Sequence, residues 1–299
     1  MEYLVLSVLA SSLIFVIFKL YARYGVQTLY AIIVNYFIAC SVGLYFYQGN
    51  LSFSTTAQKP WFTGTLALGA LFIIVFNLMA ATSQKIGVSA ASVATKMSLV
   101  IPVVFGVWMY GERLGIFEVL GILLALGAVY LATMRKKTVI NHTYMLLLPV
   151  AVFLGSGIID TSIKYAQQIS VPEEEFPLFS AMVFGSAATC GTLFVLVKAV
   201  KNGIRVNLKN VLGGICLGIP NYFSIYFLMK SLDSDTLNSA SIFTINNVAI
   251  VMCSTLLGIL LFKERISSKN WFGIGLAVVS IILVALGTKI EGLLLGQTL

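Results

Sequence analysis

The sequence predicts an all-α membrane protein of ten transmembrane helices, organised as two five-helix repeats. Three observations carry this reading. Ten apolar stretches follow one another with little polar sequence between them. The chain is 59% hydrophobic and 10% charged, with a mean hydropathy of +0.98, against roughly 45–50% apolar and 25% charged in soluble domains. The second half also echoes the first, in order and at a nearly constant offset.

The stretches run over residues 3–21, 28–47, 61–83, 88–110, 115–134, 143–166, 177–198, 210–230, 236–262 and 270–288. Several come close to the ~20 residues a helix needs to cross the hydrocarbon core. The first is apolar from Met1 to Val16 without a basic leader or a small-residue cleavage site, so it reads as a retained helix. The second and third flank the polar segment 48–60. The fourth contains Lys96 and Pro102, and the fifth is rich in glycine and alanine. Arg135 to Asn141 is the linker between repeats. The sixth holds Asp160 and Lys164, the seventh follows an acidic run, Glu173 to Glu175, and the eighth carries Pro220. The ninth contains paired amides, and the tenth returns to the small-residue pattern of the fifth. The longest polar connections, about 48–60, 166–176 and 199–209, are too short to fold alone.

The composition excludes several functions. The formal charge of +8 sits largely at span ends, where anionic headgroups account for it, so nucleic acid is not an expected partner. Cys40, Cys190, Cys216 and Cys253 each fall inside a span, with neither disulfide nor zinc spacing. Free cysteine packs as a small hydrophobe. His142 is the sole histidine. No metal, no cofactor and no enzymatic activity are expected, since neither clustered carboxylates nor a G-x-S-x-G elbow is present.

The internal echo is specific. Gly111-Glu112-Arg113-Leu114 precedes a helix with Gly121, Ala125 and Val129, while Lys263-Glu264-Arg265-Ile266 precedes one with Gly273, Ala277 and Ile281. Phe18-Lys19-Leu20-Tyr21-Ala22 resembles Ile163-Lys164-Tyr165-Ala166, and Leu78-Met79 before Ser89-Ala90 matches Leu228-Met229 before Ser239-Ala240. The expected repeats are residues 1–137 and 138–299. Five spans per repeat, an odd number, force the second copy to insert upside down. That is the inverted architecture of many secondary transporters, with a site near the midplane.

Two five-helix repeats, a lysine closing the first helix of each, and the Glu-Arg turn between fourth and fifth helices resemble the EamA-like branch of the drug/metabolite transporter superfamily. The resemblance covers nearly the whole chain and implies a ten-helix carrier of small metabolites. It does not name a substrate or a direction. Some relatives have an acidic residue in the first helix for proton coupling, where Ser12 and Phe15 stand here.

Lys96 is the sharpest functional signal. An ammonium within a span costs roughly 2.5–3.5 kcal/mol on insertion scales and usually faces a cavity or a partner; the alternative is snorkelling to the interface. Ser89, Ser92 and Lys96 share a helix face, and Pro102 can bend the helix there. Asp160 precedes Lys164 by four residues, the favourable order for a helical ion pair; the pair either neutralises itself or makes Asp160 a proton or cation site. Thr244, Asn246 and Asn247 align with Ser92, Ala94 and Thr95. Asn77, Asn221 and Tyr222 add amides and a phenol. Each amide alone reads as interhelical glue worth ~0.6 kcal/mol; together they suggest a polar cavity. The expected substrate site is therefore Lys96, Asn77, Ser92, Asn221, Tyr222, Asn246 and Asn247. Gly121, Gly127, Gly273 and Gly275 mark close-packing surfaces, within the chain in preference to a homodimer seam. Trp61, Trp108 and Trp271 lie at span ends and suit interfacial belts.

These observations predict a secondary transporter in a bacterial inner membrane, moving a small polar metabolite, amino-acid-like or anionic, by alternating access. Its partners are that solute and membrane lipid, as a monomer or homodimer. A membrane receptor lacks a soluble signalling domain here, and an intramembrane lipid enzyme lacks a nucleophile–base set. Odd-numbered connections hold most lysines and arginines, so the positive-inside rule places them in the cytoplasm and both termini outside.

Overall fold

The computed structural model describes residues 1–49, 52–85, 94–111, 114–133, 143–202, 207–233, 237–262 and 268–294. Ser89, Ser92, the Glu-Arg turns and the interrepeat linker lie outside them. The described elements are helices: α1 (Glu2–Tyr24), α2 (Thr28–Phe46), the short α3 (Phe53–Ala57), α4 (Phe62–Lys85), α5 (Val100–Tyr110), α6 (Ile116–Thr133), α7 (Thr143–Ile169), α8 (Phe176–Asn202), α9 (Leu208–Leu232), α10 (Ser239–Phe262) and α11 (Ser268–Leu294), with a 3-10 turn at Glu173–Glu175. Among the described residues six helices are long and apolar enough to cross a membrane, and four shorter apolar helices accompany them: Ala94–Tyr110, Ile116–Ala128, Ser239–Ser254 and Trp271–Val284.

Local chemistry explains the helix ends. Gly25 and Gly111 close α1 and α5 in the left-handed conformation, at φ 66° and 63°, which costs a residue without Cβ nothing. Inside lipid, the helix satisfies its own backbone groups, so apolar sequence without turns stays helical.

The chain divides into two packing units. One comprises Met1–Ala80 with Ser162–Asp233, the other Ala81–Thr161 with Ser234–Leu299. Each therefore draws helices from both halves of the sequence.

In the first unit, α9 packs against α1 and α2, and α2 also packs against α8. Small residues permit the close approach. A Cβ at Gly218 would stand 2.6 Å from the Ile38 Cβ and 2.8 Å from the Asn35 carbonyl oxygen; one at Gly214 would meet Val34. Likewise a Cβ at Gly43 would reach that of Ala181 at 2.8 Å, holding α2 against α8. The Tyr21 hydroxyl donates to the Gly213 carbonyl at 2.7 Å.

In the second unit, α6 and α11 form the main pair, with α10 against both. Ala125, Ala128, Val248, Val251, Ile274 and Ala277 make its buried core. Gly121 sits under Val284, and Ser280 Oγ donates to the Gly121 carbonyl at 2.7 Å. The expected close-packing role thus holds for Gly121, within the chain. Gly275 faces open space, and Gly127 meets only Leu276 at 3.6 Å.

Polar contacts between connections follow one rule among the described residues. Gln27 and Asn210, in the first and seventh connections, exchange hydrogen bonds of 2.8 and 3.1 Å. Lys59 and Trp61 both bind Glu175, and Lys230 binds Glu173. Gln167 donates to Asp233 at 3.2 Å. Odd connections meet odd ones, and even meet even, as successive helices running in alternating directions require.

Candidate functional site

Lys96 stands in the helical turn 94–97 that precedes α5. Pro102 accounts for the interruption between them. It has no N–H, so the Ser98 carbonyl cannot receive its ordinary bond from residue 102. The Ile101 N–H reaches that carbonyl instead, at 2.9 Å, which tightens the chain into an i to i+3 turn at Ser98 and Leu99. The lysine is held just before this break.

Its side chain is 8% exposed. Lys96 Nζ donates to Asn247 Oδ1 of α10 at 3.2 Å. An ammonium has only donors, so this contact fixes which side of the amide is oxygen. Asn247 Nδ2 and Asn246 Oδ1 have no hydrogen-bond partner among the described residues, although both amino acids are 4% exposed. Asp160 of α7 interacts electrostatically with Lys96. Glycine explains how α7 comes so close. Gly157, one turn before Asp160, lies directly against Ile101 of α5, where any Cβ would overlap its side chain. All of these groups belong to the second packing unit.

The other expected site residues are placed differently. Asn77 Nδ2 donates to the Ile73 carbonyl one turn back in α4, at 2.7 Å. Asn221 Nδ2 donates to Asn35 Oδ1 of α2 at 3.0 Å, and Asn35 donates in turn to the Ile32 carbonyl at 3.2 Å. Ser224 and Ser7 extend this chain with bonds of 2.8 and 3.0 Å. Tyr222 is fully buried, stacked between Phe46 and Tyr226 at interplanar angles of 12°, with its hydroxyl unpartnered among the described residues. Lys164 is fully buried. Asn77, Asn221, Tyr222 and Lys164 belong to the first unit. Ser12 of α1 is buried, with its hydroxyl unpartnered among the described residues.

Among the buried polar residues that escaped the sequence reading are Asn35, the partner of Asn221, and Glu118 at the start of α6, 3% exposed. Spacing pointed to neither. Glu118 does stand in the first turn of its helix, where a carboxylate is favoured. Among the described residues no group of three His, Cys, Asp or Glu side chains could hold a metal ion.

Long apolar helices and a polar cluster within one packing unit define an integral membrane protein. Residues 2–134 match the model of the EamA-like transporter family, which makes the first half of the chain EamA-like. A protein of Haemophilus influenzae, described as uncharacterized, is 28% identical over 284 residues, spanning 92% of this chain and 94% of its own. A crystal structure of another protein superposes at a TM-score of 0.70 and 17% identity, over 95% of this chain and 98% of that one. At that identity the likeness concerns the fold.

Proposed function

We propose that the protein is a ten-helix secondary transporter of the bacterial inner membrane, built from two inverted five-helix repeats, 1–137 and 138–299, that moves a small polar metabolite by alternating access. The observation that carries this reading is the Lys96–Asn247 contact, with Asn247 Nδ2 and the Oδ1 of its chain neighbour Asn246 unpaired among the described residues. An unpartnered buried polar group costs about 1–3 kcal/mol, and native structures hold few of them. Among the described residues the Asn247 amide that accepts from Lys96 keeps its donor open, and Asn246, its chain neighbour, keeps an acceptor open; we read these as groups kept for a solute.

Their chemistry specifies the solute. Lys96 Nζ and Asn247 Nδ2 flank one amide oxygen and offer neighbouring donors, which suits a carboxylate or another planar anionic group. Asn246 Oδ1 offers an acceptor to a hydroxyl or amine on the same molecule. Asp160 balances Lys96 when the site is empty and is the candidate for a coupling proton. Asn35 and Asn221 hold α2 to α9 and serve as structural glue in this scheme. The alternating parity of the connections and the EamA-like first half both accord with it.

The test is a thermal-shift screen of detergent-purified protein against carboxylate metabolites, since a solute that binds the native state raises its apparent stability. Uptake of the solutes so found is then measured in proteoliposomes. A stabilising solute that is transported by wild type and not by Lys96→Met is the expected result. Binding without flux would point to a receptor and overturn the transport reading.

A further inference from the structure

We infer that Glu118 is a positioning residue, which sets the register of α10 and so places Asn247 opposite Lys96; its functional weight rests on the reading of those two residues as the solute site. Glu118 is the third residue of α6. Its Oε2 accepts the N–H of Gly115 at 3.0 Å, the backward half of a capping box. Its Oε1 accepts from Asn238 Nδ2 at 3.1 Å and from the Ser241 hydroxyl at 3.4 Å. Asn238 is the residue before α10, and its own Oδ1 accepts the Ser241 N–H at 2.8 Å. One carboxylate thus ties the first turn of α6 to the first turn of α10.

The carboxylate has nowhere else to go. α11 closes behind it: a Cβ at Gly287 would stand 3.0 Å from Glu118 Cγ and 3.3 Å from its backbone nitrogen. A capping residue alone would only finish its own helix. Asn238 instead uses one side of its amide on α10 and the other on α6. Two contacts on one oxygen, from Asn238 and from Ser241 a turn apart, fix both the height and the rotation of α10. A helix transmits both along its length. Asn247 lies six residues beyond Ser241, about 9 Å along the axis, on the same stiff rod. A rotation or slide at the Glu118 end therefore displaces the amide that faces Lys96.

Glutamine at 118 keeps the shape and has one acceptor oxygen. Either the Gly115 N–H or the Asn238 amide nitrogen then faces a donor. The exchange Glu118→Gln/Asn238→Asp restores a complementary set, with the glutamine nitrogen donating to the new carboxylate and its oxygen accepting from Gly115.

Cross-linking reads the geometry without any solute. The full chain carries Lys96→Cys and Asn247→Cys, with its four native cysteines changed to serine and a protease site between residues 137 and 138. Membranes are treated with a short bis-methanethiosulfonate and then cleaved. Linked halves migrate together. The expected result is a several-fold lower yield with Glu118→Gln, recovery in the Glu118→Gln/Asn238→Asp exchange, and no change with Ser280→Ala. That last variant removes a buried bond between α6 and α11 and controls for destabilisation alone. Should Glu118→Gln fail to fold, Asn238→Ala cuts the same link from the α10 side. An undiminished yield in the folded variant, or an equal drop with Ser280→Ala, overturns the inference. Failure of Lys96→Met to alter transport overturns the solute site instead and leaves the positioning result standing.

Discussion

Lys96→Met separates what the lysine does for folding from what it does for a solute. Methionine keeps the length of the side chain and removes the charge. Asn247 Oδ1 at 3.2 Å and the Asp160 carboxylate, which interacts electrostatically with Lys96, are among the groups then left behind. Asp160 is only partly buried, so the loss of stability should stay below the roughly 3–5 kcal/mol that follows when one member of a buried ion pair is removed. The double variant Lys96→Met/Asp160→Asn removes the carboxylate that faces Lys96 and should recover part of that loss. Solute affinity should behave differently. A hydrogen bond to a charged group contributes roughly 1.5–3 kcal/mol, so both variants should lose roughly 10- to 150-fold in apparent affinity. Thermal unfolding in detergent reads the first effect, and the concentration dependence of proteoliposome uptake reads the second. Equal stability of the single and double variants would refute the charge coupling of Lys96 to Asp160. Uptake at wild-type affinity by the double variant would remove Lys96 from the site.

Three further outcomes are expected. Gly218→Val presses a side chain into Ile38 and the Asn35 carbonyl and should cost about 1–3 kcal/mol, seen as loss of the monodisperse peak in size-exclusion chromatography; Gly275→Ala, which meets nothing within 4 Å, should keep it. Lys59→Ala breaks an ion pair whose side chains are 25% and 20% exposed; the loss should stay below about 1 kcal/mol and shrink in high salt, and a large salt-independent loss would contradict this. Reporters active only in the cytoplasm, fused after Lys137 and after Leu299, should light up at the first site alone; the opposite pattern would reverse the proposed orientation.

The helical class and the membrane were legible in composition and span length because both depend on summed hydropathy, which one chain displays in full. That Lys96 would need a partner was legible for the same reason: a charge inside a span needs one wherever the helix packs. The sequence offered Asn246 and Asn247 together, through their alignment with Ala94 and Thr95, and did not choose between them. Partner choice elsewhere was not legible. Asn221 reads from sequence as one of several polar groups around a cavity, yet its amide bonds to Asn35, because Gly214 and Gly218 bring α2 within reach. The G-x-x-x-G spacing of those glycines was present in the sequence. Asp160 showed its neighbour in sequence, Lys164, and hid its neighbour in space, Lys96. Glu118 looked like an ordinary first-turn acid; only the approach of α10 gives it two further donors.

The proposed duplication and the proposed site make different physical demands on the chain. At the offset of the Glu-Arg turns, Ala125 corresponds to Ala277 and Gly121 to Gly273. Ala125 and Ala277 share one buried cluster, where α6 and α11 pack directly on each other. Contact between corresponding residues is what a two-fold axis running between these helices would produce. The same offset maps Lys96 onto Val248 and Asn247 onto Thr95. Val248 is buried in the apolar core, whereas Lys96 is bonded to Asn247. In the proposed duplication a symmetric frame would thus carry an asymmetric pair of side chains. In a duplicated chain, packing residues must suit both copies of the frame, and a solute with distinct ends needs them to differ. The Lys96/Val248 contrast is therefore where binding chemistry is expected to depart from the repeat, and it makes Lys96 and Asn247 the residues on which solute specificity should turn.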